Sequence, residues 1–266
     1  TLFRSRTGIY FGFGLDRDGN NATINTFGFR IYDPVANQWS QGPSQPSNMG
    51  GRTNPGCVLA NNVVYIGLGT YYSFYRDYWS FNPASGVWNQ LPDFPAQGIY
   101  PLNFENQNSV YVGVPIYDTG VIRKYDPLAN NGSGSWLQVP TEFPHLQGAL
   151  CFTIGNYTYI AGGFGLSRPG LSSTYKFDPV NNSLTRGKDV SRSGIDETFA
   201  SSFVLNGKGY IVDFYGDMYQ YDPASDTWTT LTPTFPPYRA YNRVALANSE
   251  IYAWDEDGTV YKYIPL

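Results

Sequence analysis

The chain alternates short apolar stretches with polar turns rich in Gly, Asn, Asp and Pro. Residues 57–60 and 63–67, for example, are apolar runs that meet at Asn61-Asn62. Asn and Gly tolerate the positive φ angles of tight hairpins, so these pairs predict antiparallel strands joined by two-residue turns. Helical periodicity nowhere exceeds a turn or two. The pattern therefore predicts an all-β protein.

An aromatic residue followed by Asp or Asn and then Pro recurs along the chain, and the middle residues of successive copies lie 42 to 52 positions apart. The copies occupy residues 32–34, 81–83, 125–127, 177–179 and 221–223, with a degenerate sixth copy at 263–265. A tryptophan follows most copies, and an apolar stretch with a tyrosine precedes each one. These markers are Trp39, Trp88, Trp136, Leu184 in place of the fourth tryptophan, and Trp228, with Tyr10, Tyr65, Tyr111, Tyr159, Tyr210 and Tyr252 upstream.

Each repeat is interpreted as four short strands, a to d, with the tyrosine on b, the Asp-Pro turn ending c, and the tryptophan on d. A single four-stranded sheet of this size cannot cover its own faces, so six of them are expected to pack face to face around an axis. The prediction is one six-bladed β-propeller domain over residues 1–266. Its blades are expected at residues 1–43, 50–95, 99–144, 148–190, 198–236 and 243–266.

The repeats resemble those of six-bladed kelch propellers, which have a period of about 50 residues and glycine, tyrosine and tryptophan markers. Glycines follow the strand-b tyrosine at Gly67 and Gly69 and at Gly162-Gly163, whereas the fifth and sixth repeats lack the doublet. The segment from Gly67 to Gly69 together with residues 77–83 is similar to kelch repeats of bacterial cell-surface proteins. This resemblance implies an extracellular or cell-envelope location.

The two ends of the chain carry an expectation about ring closure. Aligning Tyr10 with Tyr65 puts residues 1–5 on strand a of the first blade, whereas the last blade, from Val244, ends after strand c. An open blade would leave a sheet edge unpaired. We therefore expect the missing strand upstream of Thr1, in a longer chain whose other domains are partners of this one.

Charge and composition exclude several classes of partner. Lys and Arg number 17 and Asp and Glu 21, giving a net charge of −4, and only 14% of residues are charged. A nucleic-acid-binding surface needs a basic footprint, which is absent, so no nucleic acid is expected. The uncharged stretches at residues 53–75 and 145–167 are each interrupted by a polar turn, so no membrane insertion of this domain is expected.

The inventory of reactive side chains argues against common catalytic sites. His145 is the only histidine, which leaves no histidine pair for a metal centre, and it is interpreted as a structural loop residue. Cys57 and Cys151 fall on equivalent strands two blades apart and are interpreted as small buried thiols. The acidic segments 16–20 and 255–258 resemble calcium loops, but their spacing favours ordinary hairpins. No catalytic residue, metal site or cofactor is assigned.

The densest aromatic cluster, residues 71–79, supplies the candidate binding site. Residues 71–76 belong to a loop between strands b and c, where aromatics serve either ligand binding or packing within the loop, and both readings stay open. The b–c and d–a loops of a propeller open on one face, so contacts are expected from Tyr72, Tyr75, Arg76, Phe164, Arg168, Tyr238, Arg239 and Tyr241. Arginines of the d–a loops either make this face positive or bond to strand-end carbonyls; they are Arg52, Arg192, Arg239 and Arg243.

Three functions follow from this reading. The first is a non-catalytic module that binds a glycan or a protein through these loops. The second, implied by the kelch resemblance, is a sugar-active enzyme similar to a sialic-acid mutarotase, with an arginine and a carboxylate at the axial pocket. One raised carboxyl pKa among its candidates would favour it; they are Asp213, Asp217, Asp255, Glu197 and Glu105. The third is a purely architectural propeller.

Overall fold

The computed structural model describes residues 2–5, 8–13, 15–17, 23–25, 29–114, 120–165, 170–193, 195, 200–213, 215–231, 241–247, 249–255 and 259–263. Strands dominate these residues, and helix is limited to a 3₁₀ turn at Ser47–Met49 and a four-residue turn, α1, at Ala129–Gly132. Two compact units are present. The first comprises Thr1–Asp118 and Ile122–Val139, and the second comprises Thr119–Val121 and Pro140–Leu266.

The first unit contains three four-stranded antiparallel sheets and a two-stranded ribbon. Its strands are β1 (Leu2–Ser5), β2 (Gly8–Gly12), β3 (Leu15–Arg17), β4 (Thr23–Asn25), β5 (Phe29–Asp33), β6 (Gln38–Gln41), β7 (Gly56–Ala60), β8 (Val63–Gly67), β9 (Tyr78–Asn82), β10 (Val87–Leu91), β11 (Leu102–Asn106), β12 (Ser109–Gly113), β13 (Ile122–Asp126) and β14 (Ser135–Gln138). The sheets have the orders β1-β2-β5-β6, β7-β8-β9-β10 and β11-β12-β13-β14, and β3 pairs with β4.

The second unit contains the remaining sheets. Its strands are β15 (Leu150–Ile154), β16 (Tyr157–Ala161), β17 (Thr174–Asp178), β18 (Ser183–Arg186), β19 (Ala200–Leu205), β20 (Lys208–Asp213), β21 (Met218–Asp222), β22 (Thr227–Leu231), β23 (Tyr241–Ala247), β24 (Glu250–Asp255) and β25 (Val260–Tyr263). Two sheets have four strands in chain order, β15 to β18 and β19 to β22, and the sixth has β23, β24 and β25 within the described residues.

The repeat markers occupy equivalent places in each sheet. All six marker tyrosines lie on the second strand, and the aromatic residue before each Asp-Pro pairs across the sheet with the marker on the fourth strand. The pairs are Tyr32↔Trp39, Phe81↔Trp88, Tyr125↔Trp136, Phe177↔Leu184 and Tyr221↔Trp228. Cross-strand aromatic pairs stabilise antiparallel sheets, which gives a physical reason for an aromatic residue and a tryptophan at these two positions in four of the five pairs.

The Asp of the repeated tripeptide caps the turn between the third and fourth strands. Oδ1 of Asp178 accepts the backbone N–H groups of Val180 and Asn181, at 2.9 and 3.2 Å. Asn82 does the same for Ala84, at 2.9 Å, so an amide oxygen accepts the same hydrogen bond as the carboxylate. This Asx turn, followed by a proline that cannot continue the ladder, is why Asp-Pro ends the third strand.

Apolar clusters lie between successive sheets within each unit. In the first unit, residues of the first and second sheets form one cluster and those of the second and third another. In the second unit the fourth sheet packs on the fifth, and the fifth on the sixth. The fold is therefore an all-β six-bladed propeller, as the repeat predicted. No helix among the described residues is long and apolar enough to cross a bilayer.

Candidate ligand-binding surface

The loop between β8 and β9, residues 68–77, is held to its neighbours by a series of backbone hydrogen bonds. Thr70 exchanges two of them with Thr53, at 2.8 and 3.0 Å. The Gly69 N–H donates to the Gly98 carbonyl at 2.8 Å, and the Tyr75 N–H returns to the Gly69 carbonyl at 2.9 Å. The loop is therefore fixed to the segments that precede β7 and β11.

The repeated glycine is required by this arrangement. Gly69 has φ +88°, and a Cβ atom there would lie 2.6 Å from the Thr53 carbonyl oxygen. Gly163 repeats the geometry in the fourth sheet, with φ +83° and a Cβ position 2.7 Å from the Gln147 carbonyl oxygen. The Gly163 N–H donates to the Ile195 carbonyl at 2.7 Å. Glycine is used because the backbone of the preceding loop approaches too closely for a side chain.

Beneath the loop lies a buried ion pair. Arg52 is fully buried, and its Nη1 and Nη2 donate to the two carboxylate oxygens of Asp77 at 2.9 and 2.7 Å. The same guanidinium also donates to the carbonyls of Leu68 and Met49. Trp79 Nε1 donates to Asp77 Oδ2 at 2.6 Å. Arg52 therefore serves the interior and bonds strand-end carbonyls, and it does not add positive charge to the surface.

Two of the predicted contact residues belong to this frame. The Tyr75 ring covers the Arg52 guanidinium, whose central carbon is 4.6 Å from the ring centroid. Arg76 is exposed, but its Nε and Nη2 lie 3.4 and 3.0 Å from the carbonyl oxygens of Phe94 and Pro95. Tyr75 therefore packs on Arg52, and Arg76 bonds to the segment that follows β10, so both side chains contact neighbouring segments of the chain.

Tyr71 and Tyr72 form the exposed tip of the same loop. They are 45% and 89% exposed, and their ring centroids are 4.0 Å apart. A hydrogen bond between the two side chains raises the pKa of Tyr72. The Thr70 hydroxyl and the Tyr71 N–H both donate to the Ser73 carbonyl, at 3.1 and 3.3 Å, which tightens the turn. The sequence singled out Tyr72, and Tyr71 joins it as a second exposed ring.

The remaining predicted contacts belong to the second unit. Phe164 is half-buried and forms isolated bridges to Gln147 and Gly170. Arg168, Tyr238 and Arg239 lie outside the described residues. Tyr241 begins β23, and its side chain lies outside the described part of the chain. The clustering of these residues with the Tyr71–Tyr72 loop stays a prediction.

A second contact between an arginine and aspartates is present in the fifth sheet. Arg192 Nη1 lies 2.8 Å from Asp213 Oδ2 and 3.3 Å from Asp217 Oδ2, and its guanidinium lies over the Tyr215 ring at 5.2 Å. Burial raises the pKa of Asp213 above the ordinary aspartate value, although Arg192 opposes the shift. Asp213 Oδ1 accepts the N–H groups of Tyr215 and Asp217. Arg192 thus contacts two of the carboxylates that are candidates for the enzyme hypothesis, Asp213 and Asp217.

The remaining candidate carboxylates, the acidic segment 16–20 and the two cysteines show no arrangement that indicates a site among the described residues. Glu105 Oε1 accepts the Asn108 N–H at 2.7 Å in the β11–β12 turn, Asp255 ends β24, and Glu197 lies outside the described residues. Asp16 and Arg17 of the acidic segment 16–20 lie in β3, which pairs with β4, and the rest of that segment lies outside the described residues. Cys57 and Cys151 are half-buried, and burial raises the pKa of the Cys57 thiol to about 12, so that thiol is a poor nucleophile.

Asp213 and Asp217 were candidate carboxylates from the sequence, whereas Asp77, the partner of Arg52, was not predicted. A signal was available, because Arg52 and Asp77 are separated by 25 residues and Arg192 and Asp217 by the same 25. A tyrosine also stands two positions before each aspartate, at Tyr75 and Tyr215. The shared spacing assigns the Arg52–Asp77 and Arg192–Asp217 contacts to the same two positions of the repeat.

No family model matches the chain, and no curated protein matches it significantly. The propeller is seen directly in the structure, whereas the kelch character of the repeats stays a resemblance.

Proposed function

We propose that this protein is a non-catalytic binding module, and that the exposed pair Tyr71 and Tyr72 contacts its ligand. The observation that carries the proposal is the 89% exposure of Tyr72 on a loop whose backbone is otherwise hydrogen-bonded to its neighbours. Packing does not explain a large ring displayed in this way. A ring held on a fixed backbone loses little conformational freedom on binding, which favours affinity.

A glycan is the favoured ligand. Tyrosine offers an apolar face for the C–H surface of a pyranose ring and a hydroxyl for its polar groups. A protein partner would use the same two rings as anchors, since tyrosines are frequent at interface hot spots. Under this proposal Tyr75 and Arg76 hold the loop, and Phe164, Arg168, Tyr238, Arg239 and Tyr241 remain predicted contacts. An extracellular or bacterial cell-envelope location, with further domains as partners, is supported by the kelch resemblance alone.

A glycan array tests the proposal. The wild-type chain is compared with a Tyr71→Ala/Tyr72→Ala double variant and with Tyr215→Ala, which removes a 62% exposed tyrosine elsewhere. We expect the double variant to lose binding and the Tyr215 variant to keep it. Binding that survives in the double variant would exclude this site. If the wild-type chain binds no glycan, a protein partner or an architectural role becomes the favoured function.

The alternative of a sugar-active enzyme is supported by the Arg192–Asp213 pair. A carboxyl group with a raised pKa beside a guanidinium suits proton transfer at a sugar oxygen. Measuring the anomerisation rate of sialic acid by NMR with the wild-type chain and with Asp213→Asn tests this alternative. Acceleration by the wild type that the variant loses would favour the enzyme over the binding module.

A further inference from the structure

A cavity of about 340 Å³ lies in the second unit, and neither proposal above uses it. Gly120, Glu142, Phe143, Pro144 and His145 line it. Its volume falls within the roughly 300 to 1,000 Å³ that is typical of small-molecule sites.

The walls of this cavity are fixed by the fold. The Phe143 N–H donates to the Gly120 carbonyl at 3.0 Å, and the Phe143 ring is buried against Phe177, with centroids 5.4 Å apart. The Thr141 hydroxyl donates to the Asn182 carbonyl on one side, and Leu146 is fully buried on the other. The segment that carries Glu142 and His145 is therefore anchored at both ends, so the cavity is formed before any ligand binds.

The second sheet explains why space is left here. Arg76 stands two residues before the start of β9, and Gly120 stands two residues before the start of β13. The Phe94 N–H donates to the Arg76 carbonyl at 2.7 Å, just as the Phe143 N–H donates to the Gly120 carbonyl. At the first position, however, the arginine side chain folds back onto the carbonyls of Phe94 and Pro95. Gly120 has no side chain to do so.

The charge of the cavity is also uncompensated. Glu142 is exposed at the cavity, and among the residues that the structure describes its carboxylate has no ion-pair or hydrogen-bond partner. Its Cγ lies 3.4 Å from the position that a Gly120 Cβ would take, so a carboxylate stands beside the vacant side-chain position. The Phe143 carbonyl oxygen and Glu142 Oε1 lie 3.3 and 4.0 Å from the same position, so both acceptors stand where an arginine side chain would begin.

From this comparison we infer that the cavity binds the guanidinium group of a small molecule. Glu142 neutralises the charge, and the carbonyl oxygens of Phe143 and Pro144 take the place that those of Phe94 and Pro95 have around Arg76. A guanidinium suits this set because its planar donors match a carboxylate and neighbouring carbonyls at once. The inference is independent of the Tyr71–Tyr72 site, which belongs to the other unit.

Titration with ethylguanidinium, followed by NMR, tests the inference. His145 is the only histidine of the chain, so its imidazole proton signals report on this cavity alone. A ligand this small binds weakly, so the titration runs to about 20 mM. We expect saturable shifts of the His145 signals with ethylguanidinium and none with the neutral isostere N-ethylurea.

Two variants sharpen the test. Glu142→Gln removes the carboxylate, and Asp93→Asn makes the same change at the exposed residue that precedes Phe94-Pro95 as Glu142 precedes Phe143-Pro144. We expect about tenfold weaker binding for Glu142→Gln, because a hydrogen-bonded charge is lost, and wild-type affinity for Asp93→Asn. Unchanged thermal unfolding of both variants shows that the fold is intact.

Three results would overturn the inference: no saturable shift with the wild type, equal binding of N-ethylurea, or undiminished binding by Glu142→Gln. The tripeptide Gly-Arg-Gly, titrated in parallel, distinguishes the source of the same chemical group. Tighter binding of ethylguanidinium than of the tripeptide supports a free small molecule as the ligand. Tighter binding of the tripeptide assigns the guanidinium to an arginyl side chain and overturns the small-molecule part of the inference.

Discussion

The guanidinium of Arg52 and the carboxylate of Asp77 form a buried ion pair through two hydrogen bonds, of 2.9 and 2.7 Å. In the fifth sheet Arg192 contacts Asp217, at the same separation of 25 residues, through one atom pair at 3.3 Å, and it lies nearer to Asp213, at 2.8 Å. In the first pair Arg52 is 0% exposed, whereas the side chain of Arg192 is 41% exposed. The arginine of the first contact is thus buried, whereas the arginine of the second is partly exposed to solvent.

The two arginine–aspartate contacts should differ in their contribution to stability. We expect Asp77→Asn to lower the free energy of unfolding by about 3 kcal/mol, because it leaves the Arg52 charge buried without its partner. Asp217→Asn should cost at most about 1 kcal/mol, since its pair is exposed to solvent and Arg192 keeps Asp213 as its nearer partner. Urea denaturation of both variants measures the difference. An equal decrease in the free energy of unfolding for the two variants would show that burial does not distinguish the two arginine–aspartate contacts.

The glycine of the second b–c loop should tolerate no side chain. We expect Gly69→Ala to lower the free energy of unfolding by about 3 kcal/mol, because the new Cβ adds a clash with the Thr53 carbonyl to the strain of a left-handed conformation. Gly207→Ala is the matched control, with φ +74° and no atom within 4 Å of the new Cβ. It should cost about 1 kcal/mol, for the strain alone. Similar costs would mean that the close approach is relieved by the loop.

Replacing Tyr75 should destabilise the fold, whereas replacing Tyr72 should leave its stability almost unchanged. Tyr75→Ala removes the ring over the buried Arg52 guanidinium, and we expect a loss of about 2 kcal/mol. Tyr72→Ala should change the free energy of unfolding by less than about 0.5 kcal/mol, because its side chain is solvent-exposed. Thermal and urea unfolding report both values. A destabilised Tyr72 variant would contradict its role as a free contact residue.

The Asx-turn carboxylates should make stability depend on pH. Hydrogen bonds from Asn181 lower the pKa of Asp178, and those from Ala224 and Lys208 lower that of Asp222. Their stabilisation is therefore fully present above the unfolded aspartate value of about 3.9 and is lost as the pH falls through the lower folded-state values.

An Asp178→Asn/Asp222→Asn double variant isolates this effect. Asparagine keeps the acceptor oxygen, as Asn82 does in the second sheet, and cannot titrate. We expect its free energy of unfolding to fall less than that of the wild type between about pH 6 and pH 3. Parallel curves for the two proteins would assign the acid sensitivity to other groups.

The sequence by itself determined the architecture, because the repeat is a local pattern. Tyr65, Phe81 and Trp88 mark strands whose identity depends on alternation and turn chemistry within one repeat, and Asp-Pro turns end a strand wherever they occur. These features need no knowledge of distant contacts. The six sheets and the strand of every marker could therefore be predicted.

Only the tertiary structure decided what each loop side chain does. Tyr72, Tyr75 and Arg76 are alike in the sequence as polar or aromatic loop residues, yet the first is exposed and the others pack against Arg52 and the carbonyls of a neighbouring loop. Likewise, nothing local to Gly120 or Glu142 indicates a cavity, because it arises where a side chain present in one repeat is missing in the next. Burial and partnership depend on segments far apart in the chain, and a residue's own neighbours in sequence do not specify them.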